Sequence, residues 1–246
     1  MNDKAMINGT QTQALNVNAA AYALKSVALK TPLQHHRKLS EKYKAEIYLK
    51  REDLQVVRSY KLRGAFNLIQ SLSSDQRKKG VVCASAGNHA QGVAFSCKHL
   101  GIKGVIYMPA ITPKQKINQV KMFGGDFIEI VLIGDTFDEC QSHALAFTQE
   151  HDMVFIPPFD HIKVIEGQGT VGKEILDELS NIDFVFVPIG GGGLCAGVGQ
   201  YFKTYSPLTE IIGVEPLGAP SMNEALKAGK PVVLDHIQRF VDGAAV

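Results

Sequence analysis

The chain has 246 residues, of which 45% are apolar and 20% charged, a composition typical of a globular protein with a sizeable core. Its 26 basic and 24 acidic residues leave a net charge of +2, which is too balanced to favour nucleic acid or an anionic membrane as a partner. No apolar run reaches the roughly 18 residues of a membrane span. The opening MNDKAMINGTQTQ lacks the apolar core of a secretion signal. We therefore expect a cytoplasmic protein.

In chain order, the hydrophobic pattern predicts helices that alternate with short strands. Predicted helices cover the stretch from Ala14 to Ala28, 62–72, 88–100 with Gly101 after its end, 112–124, 137–147 and a stretch from Leu194 onward. Predicted strands are 47–50, 81–85, 104–109, 127–133, 153–157, 183–189 and 210–214. Thr112 and Gln115 around Pro113 predict a capping box at one helix start. Apolar strands that alternate with helices are typical of parallel sheets covered on both faces, so the predicted class is α/β.

The cysteines and histidines show no spacing that is typical of a metal site. We expect four small buried side chains in a reducing compartment, namely Cys83, Cys97, Cys140 and Cys195. Neither metal binding nor disulfides are therefore predicted.

Four consecutive glycines follow the predicted strand 183–189 and precede a helix. Successive glycines can turn several backbone N–H groups toward one point, and a helix N-terminus adds partial positive charge, so a bound phosphate is favoured. Gly191, Gly193 and Ala196 also fit the dinucleotide fingerprint, with Glu215 as the ribose-binding acid. A nicotinamide-dependent oxidoreductase therefore remains open at this point. The candidate phosphate loop consists of Gly190, Gly191, Gly192, Gly193 and Leu194.

A second glycine-rich stretch, GQGTVGK at 167–173, is similar to a phosphate-binding loop of nucleotide triphosphatases. Glu174 stands where that loop needs Ser or Thr for magnesium, and no strong strand precedes it. The sequence therefore argues against a nucleotide triphosphatase.

Two further segments carry candidate chemistry. At the junction that follows strand 81–85, a hydroxyl, a side-chain amide and helix N-terminal N–H groups suit a carboxylate, although Asn88 could simply cap the helix. This candidate carboxylate turn consists of Ser85, Ala86, Gly87, Asn88 and His89. Lys61, in RSYKLRGA, stands at a predicted helix start beside other cations, which lowers a lysine pKa and suits covalent catalysis and proton transfer.

Together, SYKLRGA, SAGNHAQG and GGGGL resemble the threonine dehydratase (threonine ammonia-lyase) branch of fold-type-II pyridoxal-phosphate enzymes, in this order and at these separations. The resemblance implies a fold like that of the tryptophan synthase β subunit, with two open, twisted, mostly parallel sheets flanked by helices. It implies that Lys61 binds pyridoxal 5'-phosphate covalently and that Asn88 hydrogen-bonds the 3' oxygen of its ring. The phosphate would lie on residues 190–194, and the substrate carboxylate on residues 85–89. Tyr60 stands where the family commonly has Phe.

The activity implied by this resemblance is the dehydration and deamination of L-threonine, and of L-serine, to 2-oxobutanoate (or pyruvate) and ammonia. This reaction is the first step of isoleucine biosynthesis, and we expect a homo-oligomer for the full-length protein. A nicotinamide-dependent enzyme would leave the other two motifs without a role, and a catalytically inactive binding module is the second alternative.

The resemblance also implies two domains. Residues 65–155 would form a small domain, and 1–64 with 156–246 a large cofactor-binding domain that is incomplete at its C-terminus. The last residues, VDGAAV, read as a buried apolar segment rather than a polar tail. We therefore expect a fragment that is inactive by itself and lacks the residue facing the ring nitrogen.

Overall fold

The computed structural model describes residues 15–234, 236–238, 241 and 243–244. Ala14, from the predicted opening helix, and Asp242, Ala245 and Val246, from the predicted buried segment, lie outside these residues. The helices are α1 (Val17–Leu24), α2 (Arg37–Tyr43), α3 (Lys61–Ser71), α4 (Ser74–Lys79), α5 (Asn88–Leu100), α6 (Lys114–Gly124), α7 (Phe137–Glu150), α8 (Ile162–Glu178), α9 (Gly193–Tyr205) and α10 (Ser221–Ala228). The strands are β1 (Leu33–His35), β2 (Tyr48–Lys50), β3 (Val81–Ala84), β4 (Gly104–Met108), β5 (Ile128–Leu132), β6 (Val154–Phe155), β7 (Phe184–Pro188) and β8 (Glu210–Val214).

A four-stranded parallel sheet with the order β5-β4-β3-β6 forms the centre of one half of the described chain. Every residue of β3 and β4 is buried. Alternate residues of β3 enter two different cores: Val81 and Cys83 pack with α3 and α5, whereas Val82 and Ala84 pack with α7. Helices thus cover both faces, which is why these strands are uniformly apolar.

The other half is built on two smaller sheets, the parallel pair β7–β8 and the antiparallel pair β1–β2. Helices α8 and α9 pack against β7, with Val171, Val187 and Phe202 in their shared core. The α/β class with mostly parallel strands is confirmed. None of the described helices is both long and apolar enough to cross a membrane.

Glycine contacts bring the three helices α3, α8 and α9 together backbone to backbone. A side chain at Gly167 in α8 would place its Cβ 2.5 Å from the carbonyl oxygen of Arg63 and 2.7 Å from the Cα of Gly64 in α3. One at Gly197 in α9 would lie 2.6 Å from the backbone nitrogen of Gly169. The stretch GQGTVGK is therefore the middle of helix α8, and its glycines permit close helix packing. This placement agrees with the argument against a nucleotide triphosphatase.

The predicted capping box at Thr112 is wrong. Helix α6 begins at Lys114 with Pro113 at its N-cap and no side-chain cap. The Thr112 hydroxyl donates instead to the carbonyl of Pro109 at 2.7 Å, because the preceding turn uses it. By contrast, α5 ends as predicted, with Gly101 in the left-handed conformation at φ +67°.

Candidate functional site

The three motifs converge on residues 156–159, which follow β6. The Lys61 Nζ donates to the carbonyl of Pro158 at 2.8 Å, and the His89 Nε2 donates to the carbonyl of Ile156 at 2.8 Å. On the glycine loop, a Cβ at Gly191 would lie 2.3 Å from the Phe159 ring. One short segment therefore contacts all three motifs.

Sequence reasoning missed this segment because it acts mainly through backbone carbonyls. Its one local signal is the pair Pro157-Pro158 at the end of a predicted strand. Proline fixes φ and has no N–H group, so the pair forms a stiff connection that presents carbonyl acceptors.

Lys61 is the first residue of α3 and is partly buried. Burial lowers the pKa of its amine to about 8. The predicted direction is thus confirmed, but the predicted cause is wrong. Of the neighbouring cations, Arg58 is exposed and Arg63 pairs with Glu52 and Glu174. The acceptor of Lys61 is an uncharged carbonyl, which does not stabilise the ammonium form as a carboxylate would.

Helix α5 brings the predicted carboxylate turn next to Lys61. A Cβ at Gly92 would lie only 3.1 Å from the Lys61 carbonyl, so this glycine permits the two helix starts to touch. The SAGNHAQG and SYKLRGA motifs are therefore adjacent in space.

Asn88 does not cap helix α5. The N-cap is Gly87 and has no side-chain cap, while Asn88 is the first helical residue and is exposed. Its amide makes no hydrogen bond to the part of the chain that the structure describes. The simple capping role considered for Asn88 is therefore wrong, and its amide is available to a ligand.

The remaining residues of the turn differ in burial and in hydrogen-bond partners. The Ser85 hydroxyl accepts a hydrogen bond from the Gly87 backbone N–H at 3.2 Å, and Ala86 and Gly87 are partly buried. His89 is only 3% exposed. Burial, together with the nearby Lys61 charge, lowers the pKa of His89 to about 3, so its ring is neutral. The His89 ring is held by the Ile156 carbonyl and is therefore not among the open donors of the turn.

The glycine loop connects β7 to α9. Gly192 is the N-cap of α9 and has the left-handed φ of +83°, while Gly190, Gly191 and Leu194 are partly buried and Gly193 is buried. The first bond of the helix runs from the Ala196 N–H to the Gly192 carbonyl at 2.9 Å. The N–H groups of 190–195 donate to no residue that the structure describes. This set of open donors at a helix N-terminus matches the oxygens of a phosphate.

Glu215 has a structural role instead of the ribose-binding role of the dinucleotide fingerprint. Its two carboxylate oxygens accept hydrogen bonds from the backbone N–H groups of Met222 and Asn223, both at 2.8 Å. Glu215 thereby caps the start of α10, which leaves the nicotinamide alternative without its acidic residue.

The four cysteines are free thiols. Cys83, Cys97 and Cys140 are buried as expected, whereas Cys195 beside the glycine loop is partly buried. Burial raises the pKa of Cys97 to about 12 and that of Cys140 to about 11. Among the described residues, no three His, Cys, Asp or Glu side chains are grouped so that they could hold a metal ion.

Known proteins resemble this chain over nearly all of its length. The family described as pyridoxal-phosphate dependent enzyme matches residues 24–246. The chain is 54% identical over 235 residues to "L-threonine dehydratase biosynthetic IlvA" of Halalkalibacterium halodurans, covering 95% of this chain and 57% of that protein. It is 53% identical over 242 residues to the protein of the same name in Staphylococcus epidermidis. The chain thus spans little more than half the length of these curated relatives.

Two solved structures resemble the fold. The processed form of threonine deaminase isoform 2 from Solanum lycopersicum has a TM-score of 0.90 at 47% identity and covers 97% of this chain and 69% of its own. A maize serine racemase has a TM-score of 0.90 at 31% identity and covers 95% of this chain and 71% of its own.

Proposed function

Since the chain belongs to the family of pyridoxal-phosphate dependent enzymes, we propose that it is the cofactor-binding part of a threonine ammonia-lyase. The reaction converts L-threonine to 2-oxobutanoate and ammonia, and L-serine to pyruvate and ammonia, as the first step of isoleucine biosynthesis. The observation that carries this proposal is the convergence of Lys61, His89 and the glycine loop on residues 156–159. The names and identities of the relatives support threonine as the main substrate.

The residues present fit pyridoxal phosphate at both of its ends. The open N–H groups of residues 190–194 suit the phosphate, and Gly192 provides the turn that aims them. Lys61 would be the attachment point for the aldehyde, because a lysine reacts as a neutral amine and its pKa is lowered to about 8. The exposed amide of Asn88 would hydrogen-bond the ring 3' oxygen. When bound, the cofactor withdraws electrons from the substrate Cα.

The chain's own groups bind the substrate and move its proton. The turn 85–89 provides the Ser85 hydroxyl and helix N-terminal N–H groups for the substrate carboxylate. The Lys61 amine accepts the Cα proton, and the neutral Pro158 carbonyl holds this amine without favouring its charged form. Because the His89 ring is neutral and bonded to Ile156, it fixes the turn against the segment that follows β6 and takes no proton.

The proposal also includes the division of the chain into two domains and the assembly of the full-length protein. Residues 65–155 are the small domain, whose sheet is β5-β4-β3-β6. Residues 1–64 and 156–246 belong to the large domain, and residues 156–159 lie at the boundary between the two. The full-length protein is a cytoplasmic homo-oligomer.

The test is cofactor attachment followed by product analysis. Pyridoxal phosphate is added to the protein, reduced onto it with borohydride and located by peptide mapping, with Lys61 as the expected position. The attachment rate rises with pH and levels off above about 8, because the neutral amine is the reacting form. The full-length protein then forms 2-oxobutanoate from L-threonine at a higher kcat/KM than pyruvate from L-serine.

Two results contradict this proposal. The first is reduction of the cofactor onto a lysine other than Lys61. The second is a full-length protein that racemises L-serine and forms no 2-oxobutanoate from L-threonine.

A further inference from the structure

Helix α3 carries a second charged residue close to Lys61 that is almost completely buried. Arg63 is 1% exposed and lies two residues after Lys61. Two residues turn an α-helix by about 200°, so Arg63 leaves α3 on the side opposite to Lys61. The helix is thus held on one side by the Lys61 contact with Pro158 and on the other by Arg63.

The Arg63 guanidinium is saturated with hydrogen bonds. Its Nε and Nη2 donate to the two carboxylate oxygens of Glu52, both at 2.8 Å. Its Nη1 and Nη2 donate to the two oxygens of Glu174 at 2.6 and 2.9 Å. Further bonds reach the Thr170 hydroxyl and the Leu29 carbonyl. Two carboxylates that each accept two hydrogen bonds from the guanidinium fix the orientation of its plane.

The two carboxylates connect Arg63 to three other parts of the chain. Glu174 lies on α8 and also accepts a hydrogen bond from Lys50 of β2 at 2.6 Å. Glu52 lies in a 3-10 turn and accepts one from the Thr31 hydroxyl at 2.6 Å. Since Lys50 and Arg63 balance Glu52 and Glu174, these four side chains carry no net charge. This cluster of four, the Arg63 network, therefore fixes geometry and imposes no net charge on Lys61.

We propose that the Arg63 network is a positioning device that fixes the rotation of α3 about its axis and thereby keeps the Lys61 amine in place at Pro158. The inference rests on the proposed function, because it takes Lys61 as the point of cofactor attachment. A buried ion pair adds little net stability over apolar side chains. Burying Arg63, with three largely buried charged partners, on the helix that begins with a reactive lysine therefore calls for a role in geometry. A reacting group misplaced by about 1 Å can lose about a hundredfold in rate.

The first test compares two carboxylates on the same helix. Glu174→Gln removes an anion of the network, whereas Asp177→Asn, three residues on, removes one that pairs with Lys173 near the surface. We expect Glu174→Gln to slow pyridoxal phosphate attachment at least about tenfold and Asp177→Asn to change it less than about twofold. The pH midpoint of attachment moves upward in Glu174→Gln, because a loosened Lys61 regains water and its pKa returns toward that of an ordinary lysine. A downward shift contradicts the proposal, because it would mean that only a negative charge had been lost.

A second variant guards against loss of folding. The double change Arg63→Met with Glu52→Gln removes one positive and one negative charge together and leaves Lys50 paired with Glu174. It is expected to unfold cooperatively near the temperature of the unmodified protein, yet to attach the cofactor at least about tenfold more slowly. A folded double variant with attachment within about twofold of normal overturns the proposal.

If the double variant does not fold, the proposal is also overturned, because the network then maintains the fold and not the lysine. Failure of the proposed function has a different signature, namely that the unmodified protein is not labelled at Lys61 after borohydride reduction.

Discussion

The two glycine-rich segments of this chain have similar sequences and opposite roles. GGGGL at 190–194 forms the turn after β7 and the first residues of α9, with N–H groups that donate to no described residue. GQGTVG at 167–172 lies inside α8, where the missing side chains let α3 and α9 approach its backbone. A run of glycines therefore has no fixed structural role. A strand directly before it favours a ligand loop, and helical neighbours on both sides favour close packing.

Both glycine-rich segments contact parts of the chain that position Lys61: Gly191 lies against Phe159, and Gly167 against the backbone of α3. Among the changes considered, removing the Lys61 amine is expected to have the largest effect on activity. Lys61→Ala lowers kcat of the full-length enzyme by about a thousandfold or more, because it removes both the attachment point and the base. The variant still binds pyridoxal phosphate noncovalently through the glycine loop, which equilibrium dialysis measures. Near-normal turnover of L-threonine by this variant would show that Lys61 has neither role.

Changing Gly192 tests the loop as a ligand site. A side chain is disfavoured at φ +83°, so Gly192→Ala turns the N–H groups of the loop away from their common point. We expect the Kd for pyridoxal phosphate to rise about tenfold, while the free energy of unfolding falls by about 1 kcal/mol. Gly229→Ala is the matched control, because Gly229 has φ +66° at the end of α10 and nothing lies near its Cβ position. Gly229→Ala should lower the free energy of unfolding by a similar amount and leave the Kd for pyridoxal phosphate unchanged. Equal Kd values for the two variants would contradict the phosphate-binding role of the loop.

Changing Gly167 tests the helix as a packing site. A methyl group there would lie 2.5 Å from the backbone of α3, and the helices must separate to admit it. We expect Gly167→Ala to lower the free energy of unfolding in urea by about 1–3 kcal/mol. The effect on cofactor affinity, measured at a temperature where the variant is folded, is smaller than that of Gly192→Ala. Unchanged stability would mean that α3 and α8 do not pack as closely as described.

The smallest effect has the opposite sign and comes from a glycine in neither segment. Gly199 lies within α9, and the atoms nearest to its Cβ position, on Ile211, are 4.0 Å away. Since alanine is the better helix former, Gly199→Ala should raise the free energy of unfolding by about 0.5–1 kcal/mol. A loss of stability would show that α9 packs against the sheet more tightly than this distance indicates.

Prediction from sequence succeeded where the signal lies in consecutive residues. The strand, glycines and helix around 183–205 identify the loop, and Gly101 marks the end of α5. It failed at Thr112, whose hydroxyl had a competing partner in the preceding turn. It also missed residues 156–159, since carbonyl groups occur in every residue and form no recognisable pattern.

The α/β class follows from local sequence, through apolar strands alternating with helices, and so do the three motifs at helix starts. Three features emerge only when the chain is folded: His89 bonds inward to Ile156, Glu215 caps α10, and burial lowers the pKa of Lys61. The Arg63 network is likewise a feature that appears only in the folded chain, because Arg63 and Glu174 are 111 positions apart. Burial and ion pairing depend on contacts between segments that are distant in the chain, and local residue patterns do not indicate which of these segments will meet.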